Sequence, residues 1–368
     1  MQNNRIYIFD ARKATPEFPE IKRYCDSILP VIASHLKTTE SLHIIVSGQN
    51  SLPGIIENIR ISRHCIRAKP GSLKSAISLR RLLKTINPDI CHSADETTFF
   101  PKRYRTLATI HKASPLSLPL NIYTLKQKII YGIITQFKLK NLAGIIGISE
   151  CILKTYPQQM LKNRSSIIHY GIAPEFKPQS QEVVDELKKR YNLPHKFMLI
   201  IAARSNILNL TTILDAFQSI DFTESSPIVI AGYASCSEKI TKQIEHRRLT
   251  TRIQQIGEID EKDMPALYSA AYALLFPDHI KGISLPVLES MACGTPVICS
   301  TLPALVEIAG GAATFVHLTD KLEWCRAINT ALLSINWHAE RSKCVLERAQ
   351  KFSWEKAAEA TLKLYRSL

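Results

Sequence analysis

Short apolar runs rich in β-branched residues alternate along this chain with longer stretches whose apolar positions recur every three to four residues. The runs at 5–9, 42–47, 89–91, 106–110, 144–147 and 166–169 have the length and composition of buried strands. Between them, residues 21–34 and 73–86 carry the amphipathic period of helices. The pattern restarts at Lys196 with FMLIIAAR, a helix over 211–220, the strand PIVIAGYA and further units of the same kind. Strands alternating with helices predict a parallel sheet covered on both faces. Two successive series predict an α/β chain of two Rossmann-like domains whose parallel sheets face each other across a cleft. The periodicity breaks in IAPEFKPQSQE, residues 172–182, where two prolines interrupt it. The expected division is therefore 1–176 and 177–350, with a closing helix over 351–368.

Composition narrows the class without changing this picture. The chain has 368 residues, 45% hydrophobic and 21% charged, which is enough for two ordinary domains and excludes a disordered chain or a collagen-like fibre. No run of about 18 apolar residues occurs, so no spanning helix is expected. The opening MQNNRIYIFDARK reads as a first strand and not as a secretory leader. Nine scattered cysteines, an odd number with no C-x-x-C pair, argue against a disulfide framework and a zinc site, and for a reducing cytoplasm.

The distribution of charge says more than its total of +15. Residues 1–180 hold 26 Lys and Arg against 11 Asp and Glu, whereas residues 181–368 hold 21 of each. The whole excess lies on the first half, where its field should attract an anion such as a phosphate, an acidic lipid or a nucleic acid. A set of merely solvated basic faces is the competing reading, although it should have touched both halves.

The phosphate-binding chemistries of α/β folds leave recognisable loops. The first loop, DARKATPEFPEIKRY, contains no glycine, which disfavours a dinucleotide-binding dehydrogenase. No P-loop pattern occurs, which sets kinases and ATPases aside, and no D-x-D triplet offers a paired-carboxylate metal site. The informative stretch is 271–314, AYALLFPDHIKGISLPVLESMACGTPVICSTLPALVEIAGGAAT. Residues 273–276 read as a buried strand closed by Pro277. Gly282 opens a tight loop, and Leu285-Pro286 starts a helix, proline suiting a first turn. Gly294-Thr295-Pro296 ends that helix before a strand at 297–300. A glycine loop leading into a helix N-terminus is an anion site, because free N–H groups and the helix dipole point at it. Glu289 is expected in the first turn and partly exposed, either accepting hydrogen bonds from sugar hydroxyls or simply complementing the dipole.

The segment KGISLPVLESMACGTPV, residues 281–297, resembles the E-x7-E element of the group 1 (family 4) retaining glycosyltransferases of GT-B fold. The resemblance runs along the chain. Residues 256–277 are similar to the family's approach to that element, and 352–368 to its C-terminal helix, which in the family crosses back onto the first domain. Asp10-Ala11-Arg12, PDICHS (88–93), ATIH (108–111), IGISE (146–150) and IIHYGI (167–172) each have a counterpart in the same order.

The resemblance implies transfer of a sugar from a nucleotide-diphosphate donor, with retention of anomeric configuration and without a metal or other cofactor. It implies a donor held mostly by the second domain and an acceptor held by the first. Residue by residue, Glu289 would bind the ribose hydroxyls, Gly282, Ile283, Ser284, Leu285 and Pro286 would face the donor sugar and phosphates, and His111 would approach the transferred sugar. A satisfied histidine at a strand end is the alternative for His111. Arg204 stands close to the position of the family's diphosphate-neutralising arginine. Three positions depart from the pattern: the first glutamate of E-x7-E is Lys281, the family's loop lysine is Leu208, and Glu20 and Lys22 replace glycines of the first loop. Lys281 is a candidate to neutralise the departing diphosphate in place of the lysine lost at 208.

Two functions fit these residues. One is an active hexosyltransferase working at the cytoplasmic face of the inner membrane, in cell-surface polysaccharide or lipopolysaccharide synthesis. Its acceptor would be a glycan or an anionic, lipid-linked molecule, and peripheral membrane association would follow from the basic first half. The stretch 123–140, with four lysines among Ile and Leu, fits a membrane surface or an ordinary packed helix with a wet face. The other function is an inactive relative serving as a binding or scaffolding partner. Nucleic-acid binding has only the net charge behind it, and no binding motif supports it.

Overall fold

A computed structural model describes residues 4–48, 58–96, 98, 100–114, 132, 137, 139–202, 210–220, 227–232, 235–277 and 284–368. The chain divides into two units, Met1–Gly171 with Phe352–Leu368, and Ile172–Lys351.

The first unit is built on a seven-stranded sheet in the order β3-β2-β1-β4-β5-β6-β7, every pairing parallel. Its strands are β1 (Arg5–Asp10), β2 (Glu40–Val46), β3 (Ile61–Cys65), β4 (Ile90–Ser93), β5 (Arg105–Ile110), β6 (Gly144–Gly147) and β7 (Ser165–Ile167). Helices α1 (Pro19–Ser34), α2 (Leu73–Ile86), α3 (Glu150–Lys154) and α4 (Gln158–Leu161) connect them. The central strands are buried on both faces and read as near-continuous apolar runs, which is why the sequence betrays them. β3 is different. Only Ile61 of ISRHC is buried, because the strand lies at the sheet edge, and its sequence carries no strand period to detect. α2 begins where Ser72 accepts a hydrogen bond from the Ser75 amide and ends at Asn87 in the left-handed region, so both caps are written in the sequence.

The second unit has a six-stranded parallel sheet in the order β10-β9-β8-β11-β12-β13. The strands are β8 (Met198–Ile201), β9 (Ile228–Ala231), β10 (Ile253–Gly257), β11 (Ala273–Phe276), β12 (Val297–Ser300) and β13 (Thr314–Val316). The helices are α5 (Gln181–Arg190), α6 (Leu210–Gln218), α7 (Glu238–His246), α8 (Met264–Ala270), α9 (Leu285–Ala292), α10 (Pro303–Ala309), α11 (Lys321–Leu333) and α12 (Trp337–Ala349). Two separate apolar clusters cover the two sheet faces. One is centred on Phe197, Leu274 and Met291, the other on Met198, Leu275 and Trp324. This strand order is the doubly wound Rossmann arrangement.

Helix α13 (Trp354–Ser367) belongs to the first unit and packs on α1. Arg5 donates to the carbonyls of Tyr365 and Arg366 at 3.1 and 2.9 Å, and Arg366 forms an ion pair with buried Glu40 at 2.7 Å. Gly171 is required for this approach, since a Cβ there would lie 2.1 Å from the Trp354 amide nitrogen.

Candidate functional site

In an open parallel sheet the strand order reverses at one place, and the connections leaving the carboxyl ends there diverge to opposite faces and open a crevice. In the second unit the reversal lies between β8 and β11. Residues 203–209, with Arg204 and Leu208, follow β8, and residues 278–283, with Lys281, Gly282 and Ile283, follow β11. All five of these residues lie outside the described ones. The described wall of the site is α9, whose N-terminus follows at once. Ser284 is its N-cap, with extended backbone, and Leu285 and Pro286 form its first turn. Ser284 is 7% exposed, does not cap the helix, and its hydroxyl has no hydrogen-bond partner among the described residues. A buried hydroxyl left unsatisfied beside the unpaired N–H groups of a helix start is a place prepared for an acceptor-rich ligand.

Glu289 differs from the sequence expectation. It lies in the second turn of α9 and not the first, and only 4% of it is exposed. The Tyr268 hydroxyl, on α8 behind it, donates to Glu289 Oε2 at 3.1 Å, and Tyr268 is itself fully buried. The same α8 turn is tied to the end of α9, where Thr295 Oγ1 donates to the Tyr268 carbonyl at 2.5 Å. Gly294 turns the chain with φ +78°, and Ser342 Oγ donates to its carbonyl at 2.7 Å. The carboxylate is therefore held from behind by a rigid element, as a binding carboxylate must be and a merely dipole-complementing surface acid need not be.

The first unit reverses between β1 and β4. Asp10, the last residue of β1, takes Arg12 in a bidentate grip, Nε to Oδ1 at 2.8 Å and Nη2 to Oδ2 at 2.6 Å, both residues buried. Arg12 Nη1 also donates to Ser75 Oγ in the first turn of α2, at 2.6 Å. Lys13, the next residue, pairs with Asp95 beyond β4 at 2.6 Å. Sequence reasoning quoted Asp10 and Arg12 but missed Lys13 and Asp95. Their signal was available: each closely follows a strand on one side of the switch point.

His111 follows β5 and is 4% exposed. Its Nε2 faces the Ala94 carbonyl at 2.6 Å, so Nε2 must carry the hydrogen, and Nδ1 then accepts from the Tyr170 hydroxyl. Burial pushes its pKa down to about 4, against the raising effect of the Ala94 carbonyl and of Asp95. It is a neutral imidazole with both nitrogens engaged. Any contact with a sugar would have to replace one of these bonds. Glu20 sits in the first turn of α1 and pairs with Lys112 at 3.4 Å, so an acid occupies the helix start that glycines would have left open.

Residues 183–342 match the family model of the glycosyl transferases group 1. That segment belongs to the group 1 glycosyltransferases. Over 198 residues the chain is 27% identical to O-antigen chain mannosyltransferase B of Escherichia coli, a match covering 53% of this chain and 52% of that protein. The chain thus spans about half the length of that relative. It is 24% identical over 262 residues to O-antigen chain mannosyltransferase RfbU of Salmonella typhimurium, covering 68% and 67%. Among solved structures, Anabaena Alr3699/HepE in complex with UDP superposes with a TM-score of 0.78 at 14% identity, covering 99% of this chain and all of that one. WaaG, a glycosyltransferase involved in lipopolysaccharide biosynthesis, superposes with a TM-score of 0.70 at 12% identity over 98% and 99% of the two chains. The two parallel-sheet units are those of the GT-B glycosyltransferase fold. Among the described residues no helix is long and apolar enough to cross a membrane.

Proposed function

We propose that this group 1 glycosyltransferase moves a hexosyl group from a nucleotide-diphosphate donor, held by the second unit, to a glycan or lipid-linked acceptor held by the first, with retention. Its place is the synthesis of an O-antigen or lipopolysaccharide type of polysaccharide at the cytoplasmic face of the inner membrane. The observation that carries the donor assignment is the buried Ser284 hydroxyl at the start of α9, beside the β8/β11 switch point and without a partner among the described residues. An acceptor-rich diphosphate satisfies that hydroxyl and the free amides together. Glu289, fixed by Tyr268, then accepts from the ribose hydroxyls. As the glycosidic bond to the diphosphate breaks, negative charge grows on the leaving oxygen. Lys281 and Arg204, with the α9 amides, meet it without a divalent cation.

Both curated relatives named above are mannosyltransferases, which puts a nucleotide-diphosphate mannose first in a donor screen. Calorimetric titration with mannose and glucose donors on different nucleotides should give saturable binding of one of them, weakened by Ser284→Ala. No binding of any donor at millimolar concentration would remove the reading. Turnover with the binding donor should survive a chelator. Lys281→Ala should lower that turnover by about 10²–10³-fold, the usual loss for one such donor group.

A further inference from the structure

Residues 58–88 contain eight Lys and Arg and no Asp or Glu. α2, which runs through this stretch, buries Ser75, Leu79 and Leu83 against the sheet. Its opposite face carries Lys74, Arg80, Arg81 and Lys84, all exposed, and none forms an ion pair among the described residues. Two large apolar side chains share that outward face at an i, i+4 spacing: Leu73, 79% exposed, and Ile77, 44% exposed. Solvent-facing helices ordinarily interleave both signs of charge. This one presents cations around an apolar ridge, the combination that suits an interface where headgroups are anionic and the first layer below them is apolar.

We infer that the outer face of α2 docks this enzyme on an anionic lipid bilayer, with Leu73 and Ile77 entering the headgroup layer and Lys74, Arg80, Arg81 and Lys84 meeting lipid phosphates. The inference rests on the proposed lipid-linked acceptor and gives it a geometry. The first turn of α2 holds Ser75, which accepts from Arg12 at the β1/β4 switch point. The apolar end of the docking face therefore adjoins the carboxyl end of the sheet, where an acceptor of the first unit would enter from the membrane. Nucleic acid would use the cations but would leave Leu73 and Ile77 unexplained.

Co-sedimentation of the full chain with vesicles of phosphatidylcholine and phosphatidylglycerol in equal parts, and with phosphatidylcholine alone, tests this. Binding should require the anionic lipid and weaken with salt, since screening acts over about 8 Å at physiological ionic strength. Lys74→Gln, Arg80→Gln, Arg81→Gln and Lys84→Gln together should lower partitioning on the order of a hundredfold or more, each surface cation contributing about fivefold. Removing as many cations from the second unit, with Lys189→Gln, Lys321→Gln, Arg326→Gln and Lys343→Gln, should leave vesicle binding unchanged. Leu73→Ser with Ile77→Ser should weaken binding while preserving its salt dependence. Equal losses in the two fourfold variants would overturn the inference. So would wild-type binding indifferent to lipid charge, or tighter binding of polyuridylate than of the anionic vesicles at physiological salt. Donor binding, titrated in the same preparations without vesicles, should be unchanged in every variant. A wild-type chain that binds donor but no anionic vesicles would discard this face alone, and one that docks but binds no donor would discard the donor site alone.

Discussion

At the scale of single residues, Glu289 and Tyr268 separate a ligand-binding carboxylate from a structural one. Glu289→Ala leaves the buried Tyr268 hydroxyl without its acceptor and should cost about 1–3 kcal/mol in chemical denaturation. The same change should weaken nucleotide-sugar binding by about 1.5–3 kcal/mol, the loss of a hydrogen bond to a charged group. Tyr268→Phe with Glu289→Ala restores part of the stability and none of the binding. If calorimetry finds donor affinity unchanged in Glu289→Ala, the ribose assignment is wrong. The sequence showed that Glu289 lies on the helix after the glycine loop, because proline, apolar period and closing glycine all mark it. Its burial was illegible, since that depends on α8, a neighbour brought up by tertiary packing. The histidines give a second prediction at this scale. His111 is pushed down to about 4 and His92 to about 3, both chiefly by burial, from an ordinary 6.5. Unfolded, both bind protons that the fold excludes, so stability should fall as pH drops from about 6.5 towards 4. His111→Gln, whose amide can both donate to Ala94 and accept from Tyr170, should flatten part of that slope in denaturation midpoints measured across the window.

At the scale of elements, α13 shows how a helix remote in sequence completes a sheet. Tyr365 hydrogen-bonds His92 Nδ1 at 2.5 Å, and His92 Nε2 meets Thr109 at 2.8 Å, so a polar chain runs from α13 through β4 to β5. Tyr365→Phe strands the His92 nitrogen and should cost about 1–3 kcal/mol, read from urea denaturation of the full chain. A change under about 0.5 kcal/mol, the lower bound for a typical hydrogen bond, would mean that water replaces the hydroxyl. Burial raises the Glu40 carboxyl, but Arg366, the Lys37 amide and Tyr7 outweigh it and hold it down to about 2. That contribution is lost only at pH values between the ordinary 4.5 and about 2, well below the histidine window. The period in the sequence located α2, β11 and β12 residue for residue, because their caps and closing turns lie within a few positions of them. It failed for β3, whose edge position asks for no apolar alternation.

For the whole molecule, the charge asymmetry and the two parallel sheets were legible from composition and period. Each of Lys13 and Asp95 could be placed beside the first switch point from its strand, but their pairing could not, because they are distant in sequence and meet only through the β1/β4 pairing. The division of the chain predicts unequal behaviour of its parts. Residues 172–351 are continuous and contain both apolar clusters of their sheet, so expressed alone they should unfold cooperatively and bind the donor. Residues 1–171 alone should not, lacking Trp354, Leu362 and Tyr365 from their core. Joining 352–368 directly after 171 should restore a cooperative melt, followed by circular dichroism. A cooperative transition of 1–171 without that segment would contradict the division.

The discontinuity of the first unit also sets an order of events during synthesis. Its sheet leaves the ribosome first, yet the helix that covers Tyr7 and satisfies His92 follows only after the 180 residues of the second unit, 172–351. At usual elongation rates that interval is roughly ten to thirty-five seconds. Throughout it, the nascent first unit stands without the helix that completes its core. A chain that ends at residue 351 therefore carries a complete second unit joined to an incomplete first one, a substrate for chaperones and proteases.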